Sequence, residues 1–127
     1  MLKAIIKLIK QLFNPLEDLA PYRKKIMRIK VELHQIDKNK DYYKLRDLFI
    51  RTDAMLFRIC KVLGCGKDSV GEQLKSDKAK RMFTRDVLNN IWSFHKIRNK
   101  VVHEDYMPDK KDMYYIAKIL KVLEKLT

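Results

Sequence analysis

The stretch LRDLFIRTDAMLFRICKVL, residues 45–63, decides the fold. Leu45, Leu48, Phe49, Leu56, Ile59 and Leu63, with Thr52 among them, recur every three or four positions and trace one face of a helix. Arg46, Arg51, Arg58 and Lys61 give that helix a basic surface. Gly64 and Gly66 bracket its C-terminus, where a residue free to take a positive φ ends a helix. An apolar face of this kind is buried against other elements, and the chain on either side supplies them.

Upstream, Ile26, Ile29, Leu33 and Ile36 follow the same period, with Arg23, Lys24, Arg28 and Lys30 facing outward. Asn14-Pro15 is expected to stop a first helix, Pro21 to lie near the start of the second, and Asp37 to Asp41 to form a polar turn. Downstream, Val70 to Lys75 reads as one short helical turn. Ser76 or Asp77 then caps a long helix carrying Met82, Val87, Leu88, Ile91, Trp92 and Phe94. Tyr106-Met107-Pro108 interrupts, and Asp109 starts a last helix with Met113, Ile116, Leu120, Leu123 and Leu126 as its core stripe. No sustained alternation and no Asn-Gly or Asp-Gly turn signals a strand. The expectation is an all-α fold, a single helical bundle of four to five helices with mostly antiparallel neighbours. One domain takes in residues 1–127, with residues 16–127 forming the bundle and residues 1–13 an amphipathic first helix at its periphery.

Composition bounds the function. The chain has 127 residues, with 29 Lys and Arg against 16 acids, a formal charge of +13. Such a charge attracts polyanions: nucleic acid, an anionic membrane surface or an acidic protein. With 46 per cent apolar residues and three each of Gly and Pro, a collagen-like or disordered chain is excluded. Cys60 and Cys65 have no second pair and no suitably spaced His, so no metal and no cofactor is expected, and the thiols read as free and buried in a reducing cytoplasm. In Met1 to Phe13, Lys3, Lys7 and Lys10 form one stripe beside a wide apolar face. The segment is too short to span a bilayer, which takes about 20 apolar residues. Two readings stand: a helix packed on the bundle or a partner chain, and an interfacial helix on a membrane surface.

The residues most suited to chemistry run from Arg98 to His103, Arg-Asn-Lys-Val-Val-His. Each helical step turns about 100°, so Arg98 and His103 point about 140° apart on a continuous helix. Asn99 and His103 share a face, with His95 one turn earlier on the same stripe. A helix that ends or bends near Asn99 brings the groups together. Arg is a planar, permanently charged phosphate clamp, Asn a neutral donor and acceptor, and His the side chain whose proton moves near neutral pH. Trp92, Phe94 and Tyr106 are aromatic groups able to stack on bases, although helical spacing more often marks core. Lys78, Lys80, Arg81, Arg85 and Lys100 are candidate phosphate contacts.

Arg98-Asn99-x-x-x-His103 resembles the R-x4–6-H motif of HEPN domains (higher eukaryotes and prokaryotes nucleotide-binding), in which a polar residue, often Asn, follows the Arg. The setting is similar too, a short helical bundle with the motif between a long helix and the last one. The resemblance implies a metal-independent endoribonuclease of a toxin–antitoxin or phage-defence system, a homodimer in which two copies of the motif line one cleft. Cleavage would be assisted by the RNA's own 2′-hydroxyl. His103 would act as acid or base, Arg98 would stabilise charge at phosphorus, and Asn99 would position the phosphate or the His. An acidic residue on a neighbouring helix often orients the motif in that family, which singles out Asp53; His95 and Tyr106 are further supporting candidates. Partners implied are RNA, a second copy, and an antitoxin or nucleotidyltransferase. In the group whose Tyr is modified by such a transferase the pattern is R-x4-H-x-Y, whereas Tyr106 stands one residue later here. Other members are non-catalytic modules that bind RNA, a nucleotide or a partner protein, and this reading stays beside the first.

Overall fold

The structure is a computed structural model that describes residues 2–5 and 15–127. Helix α1 covers Pro15–Asn39. The helix then passes through Pro21 in its second turn, at the loss of one backbone bond, so Pro21 lies inside the helix and not at its start. Ile26, Ile29, Leu33 and Ile36 are buried along one side, as their spacing requires. Residues 2–5 are helical and exposed, and the rest of the amphipathic segment expected over residues 1–13 lies outside the described residues.

The polar break read at residues 37–41 is narrower than expected. Lys40 takes a φ of 59°, its N–H bonds the Asp37 carbonyl, and the Asp41 N–H bonds the Ile36 carbonyl. A 3₁₀ turn (Tyr42–Lys44) leads into α2 (Leu45–Val62). That helix ends in the same paired pattern around Gly64: Gly64 N–H to the Lys61 carbonyl and Cys65 N–H to the Cys60 carbonyl. Gly64 supplies the required φ of 88°, a backbone conformation that L side chains rarely adopt. Cys60 and Cys65 are free, buried thiols at this turn.

Two short helices follow, α3 (Val70–Lys75) and α4 (Asp77–Met82), then the long helices α5 (Arg85–His103) and α6 (Lys110–Leu126). Ser76 does cap a helix, its Oγ accepting from the Ala79 N–H, but that helix is only α4. Phe83 is extended and buried, and Thr84 caps α5 by accepting from the Val87 N–H, so the expected long helix is two pieces.

The result is an all-α helical bundle. Helix α2 lies at its centre, packed on α1, α3, α5 and α6, while α6 also packs on α1 and α5. Phe49 of α2 stacks on Phe94 of α5 with ring centroids 5.3 Å apart, both fully buried. Leu56, Ile59, Ile91, Ile116, Ile119 and Leu120 complete the centre. This α2–α5 contact positions the site, because it sets the polar residues at its edge side by side.

Candidate active site

Asp53 sits one position past Thr52 on the inward side of α2 and is only 4 % exposed. A carboxylate so buried requires partners. Two come from α5: His95 Nδ1 lies 2.9 Å from Asp53 Oδ1, and Arg98 Nε lies 3.3 Å from Asp53 Oδ2. The first is a hydrogen bond; the second is an ion pair without hydrogen-bond alignment. His95 and Arg98 are three residues apart and therefore neighbours on one helix face. One acidic residue thereby holds both. With Nδ1 engaged, Nε2 of His95 is the ring nitrogen left for a ligand, and Trp92 meets the ring edge-on at 6.3 Å between centroids.

Arg98 is held from a second direction. Its Nη1 donates to Asn99 Oδ1 at 3.1 Å. Asp53, His95, Arg98 and Asn99 line an open cleft of about 420 Å³, whose opposite wall is Asp68 and Ser69 of the α2–α3 connection. That wall is anchored. Gln73 is fully buried, and its Nε2 donates to the carbonyls of Phe57 and Gly66. Ser69 caps α3 by accepting from the Glu72 N–H.

His103 is placed differently. Helix α5 runs unbroken through Asn99 and ends at His103, so neither an end nor a bend at Asn99 gathers the motif. His103 is exposed and does not line the cleft. The helix end beneath it is fastened: Arg46 of α2 donates through Nη2 to the Val101 carbonyl, and its Nη1 lies 3.6 Å from Asp105 Oδ1. Asp105 takes a φ of 52°, and the Glu104 and Tyr106 N–H groups both bond the Lys100 carbonyl.

Tyr106 faces the last helix. Its hydroxyl donates to Asp112 Oδ2 at 2.7 Å, and Asp112 also accepts from the Asp109 N–H in the capping box of α6. That hydrogen bond to Asp112 pushes the Tyr106 phenol up to about 12. Lys100 is exposed, with Nζ 5.8 Å from the Tyr106 ring centroid. Lys78, Lys80 and Arg81 are exposed on α4 and Arg85 is exposed at the start of α5. None of the four lines the cleft.

The structure therefore joins Asp53, His95, Arg98 and Asn99, and separates them from His103, Tyr106 and the basic run at residues 78–85. Asp68 and Ser69 escaped the sequence reading. The pattern Ser69-x-x-Glu72 was the available signal, since it marks a helix N-terminus and hence a structured loop end.

Such a cluster can accept a proton at His95 Nε2, hold an anion on the Arg98 guanidinium, and donate to it from the Asn99 amide. Compared with family models, curated proteins and solved structures, the chain matches none. Among the described residues no helix is long and apolar enough to cross a membrane.

Proposed function

We propose that the chain is a HEPN-type, metal-independent endoribonuclease that serves as a toxin or phage-defence effector. The observation that carries the reading is His95, fixed by buried Asp53 beside Arg98 and Asn99 in an open cleft. In the reaction, His95 Nε2 takes the proton of a ribose 2′-hydroxyl. The 2′-oxygen attacks the adjacent phosphorus, and Arg98 and Asn99 bear on the charged phosphate oxygens. The P–O5′ bond breaks, and the leaving oxygen takes a proton from an acid. The products are a 2′,3′-cyclic phosphate and a free 5′-hydroxyl.

His103 is the proposed acid. It lies eight residues from His95, about 12 Å along the helix axis, which exceeds the separation of the entering and leaving oxygens on one phosphate. The acid therefore comes from His103 of the partner subunit in a homodimer with the motif at its interface. An antitoxin or a nucleotidyltransferase would act by covering or modifying this face.

The unbroken course of α5 and the exposed position of His103 favour a second reading, a non-catalytic module that binds RNA, a nucleotide or a partner protein. Purified protein incubated with RNA in EDTA separates the two. The nuclease cuts and leaves cyclic phosphate ends. A module binds the RNA, loses that binding in Arg98→Ala, and never cuts.

A further inference from the structure

A second concave site lies between α1 and α2, a cavity of about 360 Å³ into which Lys25, Arg28, Arg51 and Arg58 converge around Tyr22. Among the described residues no acidic side chain lines it. Arg51 is engaged by Glu32 and Asp47 at 2.9 and 3.1 Å, which leaves three cations to a ligand: among the described residues Lys25, Arg28 and Arg58 pair with no carboxylate. Concentrating like charges around one hollow opposes folding unless an anion relieves them. The hollow also has a direction. Ala54 lines both this cavity and the cleft of Asp53, His95 and Arg98, so the two share one small residue as their common border. Arg58 lies one turn from Ala54 on the same stripe of α2.

We infer that the α1–α2 hollow is a binding site for the phosphate backbone of a single-stranded RNA, delivering the strand over Ala54 to the cleft. The identity of the strand rests on the ribonuclease reading; the hollow's affinity for a polyanionic chain does not. Arg28 and Arg58 offer planar forks that match phosphate, and Lys25, its Nζ 5.5 Å over the Tyr22 ring centroid, adds a point charge beside them. A single strand fits the observations better than a membrane, because a strand can run from the concavity over Ala54 into the adjoining cleft of Asp53, His95 and Arg98, which an extended lipid surface cannot enter.

The test is fluorescence anisotropy with a labelled, 2′-O-methylated RNA of about twelve nucleotides, which binds without being cut, titrated across a salt series. Arg28→Glu/Arg58→Glu is expected to weaken binding by roughly 10- to 100-fold and to reduce the salt slope by about 1.4, two phosphate contacts at 0.7 each. Lys121→Glu/Lys125→Glu makes the same charge change outside the hollow and is expected to leave the slope within about 0.3 of the unaltered protein. Equal losses in the two variants would overturn the site in favour of diffuse net charge. Unchanged RNA binding with lost binding to phosphatidylserine vesicles would overturn it in favour of a membrane. If the reversal variant fails to fold, Arg28→Gln/Arg58→Gln reports the same slope change. A hollow-dependent RNA complex that is never cut in its unmethylated form sinks the nuclease reading and leaves the hollow. Cleavage of long RNA at full rate by Arg28→Glu/Arg58→Glu sinks the hollow and leaves the nuclease.

Discussion

The middle and the end of α5 carry the two halves of one motif and are built in opposite ways. At the middle, His95, Arg98 and Asn99 are half-buried and tied to one another through Asp53 of α2 and through the Arg98–Asn99 bond. At the end, His103 is exposed with no partner among the described residues, although the backbone beneath it is fixed by Arg46. A group whose orientation is set by a buried carboxylate is ready before a substrate arrives. A group at a solvent-facing helix end is completed by whatever docks there. The same helix thus holds a prearranged set of groups and an open one, an arrangement that the proposed homodimer would use.

The strongest way to break this comparison is to remove a member of the prearranged half. His95→Ala and Arg98→Ala are each expected to lower RNA cleavage by about 10³-fold through loss of a proton acceptor or of charge stabilisation. A residual rate within tenfold of the unaltered protein in either variant contradicts the prearranged half-site. Next in size is Asp53→Asn, which keeps the shape but not the charge that holds His95 and Arg98. Cleavage is expected to fall about 10- to 100-fold while RNA affinity changes little, because the ring is misoriented and not removed.

Stability sharpens the contrast from the other side. Arg46→Ala releases the Val101 carbonyl and Asp105 at the end of α5, at a cost of about 1–2 kcal/mol by thermal or urea unfolding. Tyr106→Phe deletes one hydrogen bond to Asp112 and is expected to cost about 1 kcal/mol, a drop of a few degrees in melting temperature, with cleavage unaffected. That bond exists only while the phenol is protonated. Its contribution is present below the ordinary tyrosine range near 10 and is lost as pH rises toward about 12, so the difference between Tyr106→Phe and the unaltered protein closes over that window.

Much of this was legible in the amino-acid order. The face of residues 45–63 gave the central helix because its apolar residues keep a 3.6-residue period for five turns. The 140° divergence of Arg98 and His103 follows from the same period, and the unbroken α5 makes it real. The burial of Asp53 was not legible from its neighbours, Thr52 and Ala54, since an acid between them suits a helix surface equally well; its partners stand 42 and 45 residues away and meet it only once Phe49 stacks on Phe94. The start of α5 was misplaced because Ser76 and Thr84 are equally good caps, and only the buried, extended Phe83 separates α4 from α5. Pro21 is expected near a helix start because propensity weighs against an internal proline, yet the buried stripe from Leu19 onward keeps α1 intact across it.

The most direct test of the divided motif is complementation between His95→Ala and His103→Ala, mixed in equal amounts, unfolded and refolded together. Neither variant alone is expected to cut RNA. In the mixture half of the dimers pair one variant with the other and hold one intact composite site of two, so cleavage returns to about a quarter of the unaltered rate. A mixture as inactive as its components, or a His103→Ala protein that cuts at full rate alone, would contradict it.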